Sequence, residues 1–554
     1  MKSFKWQLII ILIAGLIVGL LLLSEQTGFR LVSPVPARGG VYTEGIIGRL
    51  QRLNPALDYY NQADRDVDRL IFSSLIKFDA KGQPVVDLAE SWGVSFDGLS
   101  YNFEIRENAV WHDGEPVTAA DVLFTIDLMR DTDSVLPEDL KEFWSRISVN
   151  VLSEKALQFR LEEPFTPFPD YLAFNIVPQH LLGGLTYAEM INSEFNINPV
   201  GSGPYRFDRL LVENGEITGV VLQANNEYYG KAPFLQEFVF RYYPDVETAF
   251  NAYLQGNVNG IGQLNEAVIF DALRNPGLSV FSMVKPEIAM VLFNLDNASL
   301  PFFQEPEIRR ALLMGLDRRG MIDRILNGQG VIADVPLLTN SWAHYSGTQR
   351  IDQDVEGAKK TLINAGYVLN ESGSGIRRKD GTALSFTMVH PDDDYHTRIA
   401  LSIQSDWEKL GVNVQLEAVP YDSLILDYLQ PLTYQAALID INYYRSPDPD
   451  PYPFWDQSEI AGGQNYSQWE NRVISQYLAE ARVIIDQAER AKLYRNFHVI
   501  FVEEMPALPL FYPVYNFAID NSIQGVRLGA MFDPSDRFWN VGEWFLLAQT
   551  SPSE

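Results

Sequence analysis

Residues 88–125, LAESWGVSFDGLSYNFEIRENAVWHDGEPVTAADVLFT, constrain the fold most tightly, because turn, strand, turn and helix signals follow one another without a gap. Ser95-Phe96-Asp97-Gly98 is a reversal, since Asp and Gly tolerate the backbone angles of a tight turn. Tyr101-Asn102-Phe103-Glu104-Ile105-Arg106 alternates apolar and polar side chains, the period of a strand with one buried face. A second turn at Asp113-Gly114 leads to Thr118, an N-cap for a helix that carries Val122, Leu123, Thr125 and Ile126 at helical spacing.

The N-terminus is a different kind of sequence. Residues 8–23, LIIILIAGLIVGLLLL, are uninterruptedly apolar behind Lys2 and Lys5, and Phe4 and Trp6 extend the stretch into an interface. A spanning helix needs about 20 such residues. No small-x-small cleavage site follows, because Ser24-Glu25-Gln26-Thr27 comes next. Residues 1–24 are therefore read as one uncleaved transmembrane anchor, with a cleaved signal peptide as the alternative. Positive charge inside puts residues 25–554 on the extracytoplasmic side of a cell membrane, and Pro-bearing residues 25–38 form a linker.

The formal net charge of −29 over 554 residues argues against nucleic acid, which is bound through Lys and Arg clusters. It argues equally against a basic patch on anionic lipid. The absence of cysteine excludes disulfides, thiolate catalysis, Cys-ligated metal and thioether lipid anchoring. The length suggests two to four domains. No P-loop, Rossmann fingerprint or nucleophile elbow stands in a believable context.

The 88–125 block resembles the signature of the extracytoplasmic solute-binding proteins of family 5, the dipeptide-, oligopeptide- and nickel-binding components of ABC importers. The matching residues are Leu88 to Trp92, Asp97-Gly98, Tyr101 to Arg106, and Val110-Trp111-His112-Asp113-Gly114 through Phe124. Further resemblances fall in family order across residues 39–545. They are Gly201-Ser202-Gly203-Pro204-Tyr205, Phe293-Asn294, the Glu307 to Arg318 segment, Gly462 to Tyr466, a helix Val473 to Val502 and a strand Leu508 to Tyr512.

This likeness implies an α/β, bilobal, Venus-flytrap fold. Lobe one is expected over residues 39–288 with an extra subdomain at 67–199, lobe two over 289–509, and a C-terminal return to lobe one over 510–554. Strands near 286–292 and 505–512 are expected to cross between the lobes. The resemblance also implies a binding protein rather than an enzyme, monomeric and without a cofactor or metal. It would hold a peptide-like solute between its lobes and deliver it to two ABC permease subunits, driven by their ATPases.

The late loop IDINYYRSPDPDPYPFW, residues 439–455, is the expected place of ligand contact, because its prolines restrict it to few conformations and so reduce the entropy lost on binding. Tyr443, Tyr444, Arg445, Asp448 and Trp455 are the candidates, with Tyr42, Thr43 and Glu44 on the first strand and Ser202 opposite. The family's peptide binders carry an Asp three positions before an Asp-Pro or Glu-Pro pair, and it receives the peptide's α-ammonium. Here Arg445 stands in that place, and at about 4 Å it would repel an ammonium by roughly 1–4 kcal/mol. Three readings follow. Asp440 or Asp448 takes over the amine; Arg445 clamps a carboxylate or phosphate; or Arg445 pairs with Asp448 or Asp450 while aromatics hold a non-peptide ligand such as an oligosaccharide. A metal chelate, a hydrolase centred on His390 and His396, and a sensor ectodomain are the remaining rivals.

Overall fold

The computed structural model describes residues 36, 38–339, 341–369, 375–445 and 447–547. The expected anchor at 1–24 lies outside them, and among the described residues no helix is long and apolar enough to cross a membrane.

The 88–125 block folds as its local signals dictate. Gly98 adopts φ +70° and its N–H closes the first turn onto Ser95 O at 2.9 Å. The strand Ser100–Ile105 buries Tyr101, Phe103 and Ile105 and turns Asn102 and Glu104 outward. It is an inner strand of a four-stranded antiparallel sheet, between Ala89–Val94 and Ala156–Arg160. Asp121 accepts from both the N–H and the hydroxyl of Thr118, at 2.8 and 3.0 Å, and fixes the start of the helix Ala119–Arg130.

His112 ties this block to the next one. Its Nδ1 accepts from Gly201 N at 3.2 Å, so its Nε2 carries the proton donated to Gly203 O at 3.1 Å. Burial brings the imidazole pKa down to about 4, which keeps it neutral. The glycines serve close approach: a Cβ on Gly201 would sit 2.0 Å from Ile71 O, and one on Gly203 2.5 Å from Leu70 O.

The main sheet runs through both halves of the molecule. Its order is Asn413–Val419, Ser385–Pro391, Ala436–Asn442, Glu287–Phe293, Ala507–Asp520, Gly260–Leu264, Val41–Ile47, Glu237–Tyr243, Glu216–Ala224 and Tyr205–Glu213. The long strand Ala507–Asp520 joins the halves. Its first residues pair with Glu287–Phe293 and its last with Leu278–Val284 and Gly260–Leu264.

Apolar packing divides at the same place. One core draws on residues from Tyr42 to Met283 and returns with Tyr515 to Trp544, while two others lie within Ile288 to Tyr512. The chain crosses at Val284–Glu287 and Tyr512–Val514, where Lys285 N–H donates to Pro513 O at 2.9 Å. Pro286 and Pro513 at these crossings have no N–H to give to a ladder, so fewer main-chain hydrogen bonds tie the halves there.

One element differs from the sequence reading. The helix expected from Val473 to Val502 is two helices, Arg472–Val483 and Gln487–Glu504. Asp486 caps the second by accepting from Glu489 N at 2.9 Å. Thr166, in a segment packed with the core that runs from Tyr42 to Met283, satisfies the freed carbonyls of Arg482 and Ile484 at 2.7 and 3.1 Å. A capping aspartate and an outside donor make the break, against a sequence that stays apolar through Ile484-Ile485.

Candidate functional site

The strand Ala436–Asn442 carries the site. It pairs along its whole length with Glu287–Phe293, but Ser385–Pro391 joins its other side only at Ala436 and Ala437. From Leu438 to Asn442 that second side has no strand partner among the described residues. A hollow of about 1070 Å³, open to solvent, lies there, lined by Tyr421, Gln430, Asp440, Asn442, Trp455 and Tyr466 among others. Two polar atoms at its wall are buried without a hydrogen-bond partner among the described residues: the Trp455 indole N–H and Asp440 Oδ1.

Asp440 is held from its other oxygen. His396 Nε2 lies 3.0 Å from Asp440 Oδ2, and its Nδ1 lies 2.6 Å from Asp393 Oδ2. Burial works against the imidazolium, but the hydrogen bonds and charges of Asp440 and Asp393 prevail and raise the His396 pKa. His390 is buried, its Nδ1 2.7 Å from Pro391 O. No group of three or more His, Asp or Glu side chains among the described residues could hold a metal ion.

Beyond Asn442 the loop is rigid for a reason its sequence does not reveal. Asp448 is buried in a two-pronged pair with Arg490, each oxygen 2.8 Å from a guanidinium nitrogen. Asp450 pairs with Arg482 at 2.7 Å, and Arg482 stacks on the Tyr452 ring at 3.7 Å. Tyr443 is buried with its hydroxyl donating to Pro336 O at 2.9 Å, and Trp455 is buried edge-on against Trp469 and Phe501. Tyr444 is half-buried against the core of the first lobe.

Arg445 joins neither aspartate. Its backbone N–H donates to Phe532 O at 2.8 Å, and its guanidinium carbon sits 3.6 Å from the centre of the Tyr59 ring. Both partners belong to the first lobe. Beside this contact a narrow cavity of about 20 Å³ lies between the lobes, lined by Lys81 and Phe532 from one and Leu337, Trp342, Tyr443 and Pro447 from the other.

The first-strand candidates are placed elsewhere. Tyr42 and Glu44 are buried in the first lobe, where the Tyr42 hydroxyl donates to Glu44 Oε2 at 2.7 Å. Glu44 Oε1 takes Arg537 Nε and Nη2 at 2.9 and 2.7 Å, and Arg537 also grips both oxygens of Asp66. Thr43 is half-buried, its N–H donating to Asn259 at 3.2 Å. Ser202 is buried, its hydroxyl without a hydrogen-bond partner among the described residues. The structure thus brings Tyr443, Tyr444 and Arg445 to the lobe boundary, seats Trp455 at the hollow, and commits Asp448, Tyr42 and Glu44 to internal contacts. Tyr59 and Arg490 went unnoticed in the sequence because each matters through a partner distant in the chain, and Asn442 because only the departure of the neighbouring strand opens its side of the sheet.

Comparison with known proteins agrees with this geometry. The pattern of the bacterial extracellular solute-binding proteins, family 5 Middle, matches residues 83–462. The oligopeptide-binding protein AppA of Bacillus subtilis (strain 168) is 26% identical over 532 residues, 94% of each chain. The dipeptide-binding protein of Escherichia coli (strain K12) is 23% identical over 468 residues, covering 79% of this chain and 83% of that one. Among solved structures, AppA in complex with a nonapeptide superposes with a TM-score of 0.66 at 25% identity, over 93% of this chain and all of the other. HbpA2 from Haemophilus parasuis shares the fold with a TM-score of 0.78, over 89% of this chain and 98% of that one. The chain belongs to family 5 of the bacterial extracellular solute-binding proteins, and its fold is their α/β bilobal one.

Proposed function

We propose that this chain captures a peptide-like solute between its two lobes, outside the cytoplasm, and delivers it to the permease pair of an ABC importer. The observation that carries the reading is the open side of Leu438–Asn442 facing a hollow of about 1070 Å³. An extended peptide adds to such an edge as one more strand, taking affinity from main-chain hydrogen bonds and selectivity from the pockets beside it. The wall supplies the complement that peptide groups need. The partnerless Trp455 N–H is a donor for a carbonyl, Asp440 Oδ1 an acceptor for an amide or amine, and Tyr421 and Tyr466 offer apolar faces. AppA, similar over nearly the whole chain, has been solved with a nonapeptide.

In this reading Asp440, Asn442 and Trp455 touch the solute. Tyr443, Tyr444 and Arg445 shape the lobe boundary, and Asp448 acts by fixing the loop through Arg490. Tyr42 and Glu44 support the first strand from inside, and Thr43 and Ser202 remain candidates on the first lobe. Solute shifts the two-lobe equilibrium toward closure through contacts made only in the closed form. Residues 1–24 would tether a monomer to the membrane.

Native mass spectrometry of the purified full-length protein tests the proposal. A set of co-purifying short peptides is expected, and Asp440→Asn is expected to weaken their binding at least about tenfold, the loss of one charge-assisted contact. A saccharide or metal chelate in their place overturns the peptide assignment.

A further inference from the structure

Arg445 stands on the second lobe, but its backbone N–H and its guanidinium both reach the first, at Phe532 O and the face of Tyr59. Burial, with the charge of Arg65 (paired with Asp533 at 3.1 Å) acting in the same direction, lowers its pKa, while the Asp533 carboxylate of the first lobe works the other way. The aspartates that could draw it back into its own loop are taken, Asp448 by Arg490 and Asp450 by Arg482. Its backbone sits at φ +59°, uncommon for a residue with a Cβ and costly by about 1 kcal/mol or more. A conformation of that kind persists where surrounding contacts over-determine it. Here those contacts lie across the lobe boundary.

We propose that Arg445 is a tethered cation: in the closed protein it fills a cation seat on the first lobe, formed by the face of Tyr59. It thereby holds the lobes together and keeps positively charged solute groups out of that part of the cleft. The charge selectivity rests on the reading of the cleft as a peptide site; the closure does not. The narrow space beside the seat is walled mainly by Leu337, Trp342, Tyr443, Pro447 and Phe532, so this part of the boundary is apolar and its cationic position is taken by Arg445. At another seam between the lobes Thr166 donates to the carbonyls of Arg482 and Ile484, and Arg482, already paired with Asp450 of its own lobe, lies 5.6 Å from the Phe165 ring centre; that seam serves as a control for the position of the Arg445 charge.

The chain has no cysteine, so Glu138→Cys on the first lobe and Glu489→Cys on the second, both exposed, take spin labels without background. Pulsed electron resonance on the solute-free, full-length protein reads their separation. Arg445→Ala is expected to move the distribution to longer distances, lowering the closed-to-open ratio roughly 2- to 30-fold, the range a cation–π contact spans. Tyr59→Leu should do the same, and the double variant should add nothing. Arg445→Lys should retain part of the closure, since a lysine keeps the charge and loses the planar stacking. Unchanged separations in Arg445→Ala and Tyr59→Leu overturn the seat.

Calorimetry then uses alanine pentapeptides in which one arginine, or its neutral isostere citrulline, is moved through each position. The native protein should favour citrulline where the solute faces Tyr59, and Arg445→Ala should reverse that preference. Thr166→Val, which removes the hydroxyl bond to Ile484 O and weakens that seam, should change separation but leave the preference alone. A preference that does not move with Arg445 overturns the selectivity. If the labels respond but no pentapeptide of either kind binds, the closure stands and the peptide reading of the cleft is what falls.

Discussion

The first lobe buries carboxylates in two ways on a single helix, Gln62–Ile71. Asp66 faces Arg537, whose guanidinium is fully buried and also holds Glu44, so that five donors meet two carboxylates and a backbone carbonyl. Asp68, two residues on, is fully buried with neither oxygen hydrogen-bonded among the described residues. Burial, with the charge of nearby Asp58 second, raises its pKa well above the carboxylate range. Asp58 itself is raised to about 8 by burial, which the charge of Arg65 only partly offsets. The difference teaches that burial alone does not set protonation. A converging guanidinium answers the charge of a buried carboxylate, whereas burial without one favours uptake of a proton.

The comparison breaks most visibly at Arg537. Arg537→Met strands Glu44 and Asp66 in the core, and a loss of about 3–5 kcal/mol is expected in urea unfolding at neutral pH. Adding Glu44→Gln and Asp66→Asn to that variant should recover most of the loss. If the triple variant is no more stable than the single one, Arg537 matters through its packing on Phe538, 4.1 Å from its guanidinium carbon, and not through charge.

How far each of these features was legible in the sequence follows from the span of its contacts. The turn at Asp97-Gly98, the strand Ser100–Ile105 and the Thr118 cap are set by neighbours within a few residues, and the structure returns them with their edges nearly unchanged. The close approach at Gly201 and Gly203 was also readable, because only glycine admits Ile71 O at that distance. Arg537 and Glu44 are 493 positions apart, and nothing local to either marks the other. The same holds for Arg490 with Asp448 and for Arg445 with Tyr59, so a loop rich in aromatics and aspartates read as ligand-facing while part of its charge was already spoken for. One signal did exist. Asp64, Asp66 and Asp68 recur every second residue on a helix, a spacing that spreads them round more than half its circumference and turns at least one inward.

The second member of the comparison predicts a pH dependence of opposite sense to ordinary acid denaturation. Asp58 is near 4 when unfolded and about 8 when folded, so the folded state binds the extra proton between those values. Its contribution is complete below pH 4 and is lost as pH rises toward 8. Asp64, raised to about 6 by burial against the hydrogen bonds of Gln51 and Arg52, adds to the same limb. Asp58→Asn should therefore raise stability at pH 8.5 by about 1–3 kcal/mol and flatten the decline between pH 5 and 8. Thermal melts across that range read both effects. An unaltered slope would mean that Asp68, and not Asp58, carries the proton.

The smallest effect sharpens the rule by changing the sign of the charge. His498 lies in the second lobe, fully buried, with neither ring nitrogen hydrogen-bonded among the described residues and its ring centre 5.5 Å from that of His344. Burial first, and the charge of His344 second, bring its pKa down to about 3. A base lowered in this way is neutral when folded, so its contribution is complete above about pH 6.5 and is lost as pH falls toward 3. That limb runs against the one from Asp58 and overlaps it between pH 4 and 6.5. His498→Phe keeps the volume, removes the orphaned nitrogens, and should add about 1 kcal/mol at neutral pH. It should also remove part of the acid-side loss without touching the slope above pH 7. Because Asp58→Asn should change the slope up to about pH 8 and His498→Phe only that below about pH 6.5, the two variants together separate burial of an acid from burial of a base. A His498→Phe protein that is less stable at pH 7 would show that its nitrogens are satisfied by bound water, and the rule would then hold for Asp68 alone.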